Sequence, residues 1–437
     1  MARLPLEGIR VAGITTVWAG TFTSQMLADW GAEVIRVESC QNYQTLTRGY
    51  LARPPKGFAL VQNPWRGGYP DLDPYGPKNR SWNRFPWFNN HARNKLSMTV
   101  DLTRPEGMDI FKRLIAKTDV FIENNAPDTM QKLGITYQTL KEARPDLIVI
   151  DMPGFGLSGP YRDYRVLGAH LECVGGHTSL RGYPELDPTT ITYVYHCDAA
   201  SGACGALAAV MAVRYRNRTG KGQHIEVAQI ETLFPQLGQA VMDYTMNQRV
   251  QRSVGNRDPH SAAPCGCYRC RGDDRWVTIT IGSDKEWEGF CRALGNPPWT
   301  KDERFSDALS RYKNQDDLDK LVEEWTTQHD HHAVMHMLQK EGIPAGPVMD
   351  ERDCYNDPHV KERGFHERVT HPECGTHLYP GLTWKASKTP NSIRSPACLL
   401  GEHNEYVYKK VIGVSDKEYT ELEKEGHIGM DFVPGIP

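Results

Sequence analysis

The first forty residues alternate between two kinds of hydrophobic pattern, and this alternation constrains the fold more than any other feature. Residues 9–14 form a short apolar run that predicts a buried strand. Apolar residues then recur at helical spacing between Phe22 and Trp30, and residues 33–37 predict a second strand. A strand, a helix and a strand in succession form a βαβ unit, which favours a parallel sheet.

The same alternation resumes after residue 95. It predicts a strand at 96–100, a helix at 105–117, and further strands at 120–123 and 147–150. Because each predicted strand lies close to a helical pattern, we expect the first 150 residues to form a doubly wound α/β sheet.

The remaining sequence predicts a second, smaller domain inserted into the first. An Ala- and Gly-rich helix is predicted at 198–216, and from about residue 227 helices surround a short β segment at 276–281. We therefore predict three segments: a large α/β domain that begins with residues 1–226, a smaller α+β domain of residues 227–331, and a return to the large domain over residues 332–437.

Composition narrows the function classes. The chain has 437 residues and a formal net charge of −3, so a dedicated nucleic-acid surface is not the default expectation. Its longest run of small and apolar residues, 202–213, is shorter than a membrane span requires. Eleven scattered cysteines favour reduced thiols and a cytoplasmic location. Three of them cluster at 265–270 without a matched fourth ligand, so no metal is expected.

Two loops are candidates for binding anions. Residues 17–21 open a helix directly after a strand, where backbone amides and the helix dipole favour a phosphate. This loop lacks the GxGxxG pattern, although Glu38 stands where a ribose-binding acid would, so an NAD site and an ordinary turn remain alternatives. Residues 90–95 contain Arg93 and Lys95 before a strand and indicate either a phosphate-binding loop or a solvated turn.

Many short motifs in the same order connect this sequence to one family. They are Ala19-Gly20, residues 27–38, Arg93-Asn94-Lys95, residues 102–107, 153–156, 159–161, 218–223, 255–257, 344–348 and 357–359. Taken together, these segments resemble the family III CoA-transferases, the family of formyl-CoA transferase and carnitine CoA-transferase.

The resemblance implies a fold and a set of ligands. It implies a Rossmann-like large domain built from both chain ends, and two chains that interlock as a dimer. Coenzyme A, or an acyl-CoA as substrate, would lie along the large domain, without a metal. By this resemblance the CoA contacts are expected at Val17, Ala19, Arg36, Arg93 and Lys95.

The family nucleophile is an Asp carboxylate, and this sequence departs from the pattern at that position. In the family the Asp attacks the acyl-CoA thioester and forms a mixed anhydride. It follows a Gly-Pro-Tyr segment, which is present here at 159–161. An ungapped alignment up to Gly175-Gly176 puts Gly168 where the Asp belongs. Glycine has no nucleophilic side chain.

Three hypotheses follow from Gly168. In the first hypothesis, the chain is a non-catalytic subunit of a hetero-oligomer, paired with a sibling subunit that carries the Asp. The benzylsuccinate CoA-transferases, which this sequence resembles, look like two-subunit enzymes of this kind. Alternatively Glu172, one helical turn further on, replaces the Asp as the catalytic residue. In the third hypothesis, a shifted loop recruits Asp163.

The resemblance thus predicts a subunit that moves CoA from a small acyl-CoA, succinyl-CoA, to a carboxylic acid. A Trp- and Tyr-rich segment at 50–87 would cover an apolar acceptor or the partner chain, so an aromatic succinate such as benzylsuccinate, in aromatic compound degradation, is the favoured acceptor. A CoA-binding scaffold subunit and an acyl-CoA racemase-like protein are the alternatives.

Overall fold

The computed structural model describes residues 3–53, 80–260 and 262–436. Residues 54–79, the central part of the Trp- and Tyr-rich segment, lie outside the described residues. The strands are β1 Arg10–Ile14, β2 Glu33–Glu38, β3 Lys95–Thr99, β4 Val120–Glu123, β5 Ile148–Asp151, β6 His224–Glu226, β7 Cys265–Arg269, β8 Trp276–Thr280, β9 Ala345–Val348, β10 His366–His371 and β11 Gly375–Pro380.

The α-helices are α1 Ala19–Asp29, α2 Pro86–His91, α3 Pro105–Ile115, α4 Pro127–Lys132, α5 Tyr137–Ala143, α6 Gly168–Val174, α7 His196–Thr219, α8 Gly238–Asn247, α9 Asp284–Ala293, α10 Ala308–Lys313, α11 Gln315–Thr326, α12 His331–Lys340, α13 Glu351–Asn356, α14 Pro358–Glu362 and α15 Asp416–Lys424. A π-helix spans Tyr406–Ile412.

Six strands form one parallel sheet in the order β3-β2-β1-β4-β5-β6. In the sheet's centre, Val11 pairs with Val34 on one side and with Val120 on the other. The predicted α/β class is confirmed, and the five strands predicted for this sheet, β1 to β5, differ from the observed ones by at most one residue at either end. The strand order reverses between β1 and β4, and such a switch point opens a crevice at the carboxyl ends of the strands.

Both faces of this sheet are buried, because successive strand residues point to opposite sides. In β2, Val34 packs with residues of α1 and α7, while Ile35 packs on the other face with residues of α3. Tyr408, from the π-helix near the C-terminus, is buried on that second face. The two ends of the chain therefore share one core, as the family resemblance implies.

Helix α7 packs against α1 through small residues. A Cβ added at Gly202 would lie 2.7 Å from a ring carbon of Phe22, so only glycine permits this approach. By length and composition alone α7 could also cross a membrane. That criterion is weak evidence, since the core helices of soluble proteins meet it too, and half of the relevant stretch is buried here.

The chain divides into two compact units, one of residues 1–175, 193–239 and 364–437 and one of residues 176–192 and 240–363. The second unit contains the antiparallel sheet β7-β8-β9. Its core includes Val277, Phe290 and Leu318. The sequence predicted the return to the first unit at residue 332. Because β9 pairs with β8, the structure has that return at Gly364.

A buried acid at the end of β4 should make stability depend on pH. Burial, and the carboxylate of Asp151 on the adjacent strand, raise the pKa of Glu123 from 4.5 to about 8. The unfolded chain therefore releases this proton at lower pH than the folded chain, so stability falls as pH rises between these two values. Replacing Glu123 with glutamine should remove the part of the loss of stability with rising pH that comes from this carboxyl group.

Urea unfolding at about pH 5 and about pH 8 measures the effect. The Glu123→Gln variant should gain stability relative to the wild type at the higher pH. Glu142→Gln, which changes an exposed carboxylate on α5, serves as the control and should leave the slope unchanged. Identical slopes for wild type and Glu123→Gln would show that Glu123 is ionised in the folded protein.

Candidate active site

A cavity of about 420 Å³ lies in the first unit, at the carboxyl ends of β1 and β4. Thr16 and Val17 line it from the loop after β1, and Asn124 and Asn125 line it from the loop after β4. We call it the switch-point cavity, because it occupies the place where the strand order reverses. Open α/β sheets commonly bind their ligands at this place.

The loop between β1 and α1 is held rigidly at this cavity. The side chain of Asn124 accepts a hydrogen bond from the Thr16 amide at 2.8 Å and donates one to the Thr16 carbonyl at 2.9 Å. The Val17 amide donates to the Thr47 hydroxyl at 2.9 Å. Val17 has a φ of 52°, a strained value for a β-branched residue, and such strain clusters at functional sites. Ala19 is buried behind it, at the first turn of α1.

Three aromatic side chains form one wall of the cavity. The ring of Trp18 lies 6.5 Å from that of Trp87 and 6.0 Å from that of Tyr195. Tyr195 precedes α7 with a φ of 53°, a second strained residue at the same cavity. This wall offers flat apolar surface for a planar group. Trp87 comes from the predicted aromatic segment.

The three cations predicted to contact CoA are buried in internal contacts. Arg36 donates to the Thr15 hydroxyl at 3.2 Å, and Arg93 forms an ion pair with Asp29 at 2.8 Å. The amine of Lys95 donates to the Thr21 carbonyl at 2.7 Å. None of the three lines the switch-point cavity. Their contact with CoA stays a prediction; their visible contacts support α1 and the loop before it.

At the position of the missing nucleophile, another carboxylate fills the space. Gly168 begins α6, and a Cβ added there would overlap the Oδ2 atom of Asp198 and lie 2.8 Å from its Cγ. Asp198 belongs to the first turn of α7 and lines the switch-point cavity with Gly168. A residue thirty positions later thus brings a carboxylate to the place where the family resemblance expects one.

The other two candidate carboxylates lie elsewhere. Glu172 is completely buried, and one of its oxygens accepts a hydrogen bond from the His196 amide at 2.5 Å. Glu172 does not line the switch-point cavity. The side chain of Asp163 is 71% exposed and pairs with Arg162 at 3.3 Å. Neither is placed to attack a substrate in this cavity.

A second cavity, of about 350 Å³, lies at the carboxyl ends of β2 and β3. Glu38 lines it, but both of its oxygens accept hydrogen bonds from the Arg48 guanidinium, at 2.7 and 2.8 Å. Although burial opposes the shift, Arg48 and Arg36 lower the pKa of Glu38 to about 2. Glu38 is therefore committed to an internal ion pair, which disfavours the NAD alternative.

The cysteines carry no feature of a metal site in the described part of the chain. All eleven are free thiols. Across residues 3–53, 80–260 and 262–436, no group of three or more His, Cys, Asp or Glu side chains is arranged to hold a metal ion. Cys265 and Cys267 lie on β7, and Cys270 follows that strand directly.

Sequence reasoning missed several residues of the two cavities, namely Asp198, Tyr195 and Arg48, and it identified Trp18 only as part of the candidate loop at 17–21. Of these missed residues, only Asp198 had a signal in the sequence, because it is the first residue of the helix predicted at 198–216. Its approach to Gly168 depends on how α6 packs beside α7, which residue spacing does not reveal.

Comparison with known proteins identifies the family. The model of "CoA-transferase family III" matches residues 6–404. The chain is 31% identical to the succinyl-CoA–L-malate CoA-transferase beta subunit of Chloroflexus aurantiacus, over 97% of this chain and 98% of that protein. It is 30% identical to the succinyl-CoA–D-citramalate CoA-transferase of the same organism, over 96% and 97% of the two chains.

Among solved structures, a CaiB/BaiF family protein from Brucella suis superposes with a TM-score of 0.78 at 29% identity. The match covers 94% of this chain and all of that one. The fold, the cavity at its switch point and these similarities agree over nearly the whole sequence: the chain belongs to CoA-transferase family III.

Proposed function

We propose that this chain is one subunit of a two-subunit enzyme that moves CoA from succinyl-CoA to a second carboxylic acid. The observation that carries the proposal is the switch-point cavity, which an aromatic wall and Gly168 line together. The two relatives named above are succinyl-CoA-dependent by name, and one of them is a beta subunit. The sibling subunit in this proposal carries the usual Asp at the position of Gly168.

The aromatic wall supports an aromatic succinate, such as benzylsuccinate, as the acceptor. A phenyl ring can pack against Trp18 and Trp87, a contact worth about 0.5–1.5 kcal/mol beyond the buried area. Arg165 also lines the cavity, and its guanidinium, which pairs with Asp128 at 3.2 Å and is 73% exposed, can bind a carboxylate of the acceptor as a second partner. The cavity thus combines one apolar side with one cation, which matches a dicarboxylic acid bearing a ring.

The CoA contacts proposed from the family resemblance follow the loop before α1. In this proposal the acyl end of CoA passes Val17 and Ala19 and enters the cavity. Arg36, Arg93 and Lys95 are buried beside α1, and in this proposal they fix the loop that the phosphates of CoA follow.

The surface of α7 supports assembly with a partner of the same fold. Leu207, Val210, Met211 and Tyr215 recur at helical spacing on its exposed side, and Leu207 and Met211 are 61% and 62% exposed. A contiguous apolar stripe on a helix surface often marks a protein interface. We propose the sibling subunit as its occupant, in the interlocked arrangement of the family.

Gly168 itself favours a second candidate function, a non-catalytic CoA-binding subunit that only shapes the sibling's site. For either candidate we propose a cytoplasmic enzyme, a location that suits eleven free thiols.

The proposal is tested by producing the chain with its sibling subunit and assaying transfer from succinyl-CoA. We expect a complex that converts benzylsuccinate in preference to malate. Trp87→Ala should raise KM for benzylsuccinate by about three- to tenfold, because it removes one aromatic contact. The same variant should change the weaker reaction with malate little, which makes malate the internal control. A complex that neither binds CoA nor transfers it to any acid would contradict the proposal.

A further inference from the structure

We propose that Asp198 supplies the attacking carboxylate that position 168 lacks, so that this chain has a reactive centre of its own. The inference rests on the proposed CoA transfer and goes beyond it by assigning the nucleophile. It also excludes the non-catalytic candidate.

Asp198 lies at the position of the missing side chain. The space where a side chain at position 168 would begin is occupied by the carboxylate of Asp198. A Cβ at 168 would overlap Oδ2 of Asp198, so any side chain there would displace this carboxylate from its position. The lack of a side chain at 168 therefore leaves the space that the carboxylate of Asp198 fills.

The carboxylate of Asp198 is accessible from the switch-point cavity. Among the described residues that line the switch-point cavity, Asp198 is the only one with a carboxyl group. It is 7% exposed, so its carboxylate is largely shielded from bulk water but still borders the cavity. The backbone amide of Ala19 and its own amide hydrogen-bond to this carboxylate. Those contacts fix its orientation beside the loop where the thioester is proposed to enter.

Transfer of CoA through Asp198 needs no reactant besides succinyl-CoA and the acceptor acid. An oxygen of ionised Asp198 attacks the thioester carbon of succinyl-CoA, the C–S bond breaks, and CoA leaves as the thiolate. The thiolate then attacks the Asp198 carbonyl of the mixed anhydride, and succinate leaves. CoA is now bound to Asp198 as a thioester. The acceptor carboxylate reverses these two steps, so that acyl-CoA leaves and the Asp198 carboxylate is restored. No electrons are gained or lost overall.

The surroundings of Asp198 predict a pH profile. Burial and the carboxylate of Glu172 on α6 raise the pKa of Asp198 to about 6. The other groups that act on it are the Ala19 amide of α1, its own backbone amide and the thiol of the neighbouring Cys197. Attack requires the ionised form, so the rate should rise with pH through about 6 and then level off. Glu172→Gln removes the like charge and should move this midpoint to lower pH.

The experiment uses the pure full-length chain, without a sibling, and measures both CoA binding and transfer from succinyl-CoA. The wild type should turn over. Asp198→Asn should lower kcat by at least about 1,000-fold, since an amide cannot form the anhydride. CoA affinity should stay within about twofold, because an amide of the same shape preserves the site. Glu172→Gln should keep its rate above the midpoint pH, which separates Asp198 from the second candidate carboxylate.

A relocation variant separates a nucleophile from a residue that only maintains the fold. Asp198→Gly should be inactive, and the double variant Gly168→Asp/Asp198→Gly should recover activity, because it moves one carboxylate between two residues that share one space. A purely structural Asp198 would not be rescued in this way.

Two results would overturn the inference. One is a pure wild-type chain that binds CoA without transferring it, and the other is an Asp198→Asn variant with the wild-type rate. In either case a complex with the sibling that still transfers CoA would leave the proposed function intact. A chain that does not bind CoA, alone or in the complex, would instead count against the proposed function.

Discussion

Replacing Glu38 with alanine should destabilise the protein by about 3–5 kcal/mol, because it leaves a buried cation without its partner. Arg48 is buried and forms its two shortest side-chain hydrogen bonds with this carboxylate. A second cation, Arg36, lies 3.7 Å from the same carboxylate. Ser97 also donates to it, at 2.6 Å. Without Glu38 two buried guanidinium groups would repel each other at the ends of β2 and β3.

Urea unfolding at neutral pH measures this loss, and Glu142→Ala, at an exposed position, is the matched control. The lowered pKa of Glu38 adds a second signature. Its stabilising effect is complete above its ordinary pKa of 4.5 and is lost as pH falls towards about 2. The wild type and Glu38→Ala should therefore converge in stability at low pH. A variant as stable as the control would show that water or other groups compensate the two arginines.

Replacing Gly202 with leucine should destabilise the protein by about 2–3 kcal/mol, since overpacking of a tight contact has costs of this size. A Cβ at this position would lie 2.7 Å from Phe22 and 3.1 Å from the Ala19 carbonyl. The backbone of α1 cannot yield as a flexible side chain can. The displaced segment is also the first turn of α1, beside the switch-point cavity, so CoA binding should weaken with the fold.

Helix propensity predicts the opposite sign, because leucine favours a helix over glycine by roughly 1 kcal/mol. Cys204→Leu, on the exposed side of the same helix, is the control and should be neutral or slightly stabilising. Thermal unfolding of the two variants shows whether the cost of overpacking or the gain in helix propensity is larger. A Gly202→Leu variant with unchanged stability would mean that α1 and α7 can separate without a penalty.

The sheet was predictable because its signals are local. Short apolar runs marked β1, β4 and β5 to within a residue, and the helical pattern between Phe22 and Trp30 marked α1. The end of the second unit was not predictable in this way. The predicted return to the large domain over residues 332–437 included residues 345–348, whereas that strand, β9, pairs with β8. Strand pairing is a non-local property, and an apolar run alone does not reveal its partner.

The candidate site was predictable only in part, for the same reason. Position 168 was identified by aligning a glycine between two flanking motifs, and its lack of a side chain was evident. That alignment compares residues one position at a time, so it could not reveal that Asp198 fills the vacant space from another helix. For Arg93 and Lys95 the sequence predicted either a phosphate-binding loop or a solvated turn. Their burial depends on Asp29 and on the first turns of α1, which lie some seventy residues earlier.

The most direct test of the account is to locate the covalent intermediate on the pure chain. The protein is incubated with succinyl-CoA, treated with hydroxylamine and digested, and the modified peptide is identified by mass spectrometry. Hydroxylamine converts an enzyme thioester into a hydroxamate and releases CoA. The account predicts the hydroxamate on Asp198 and none in the Asp198→Asn variant. A hydroxamate on Glu172, or no modification of a chain that binds succinyl-CoA, would contradict it.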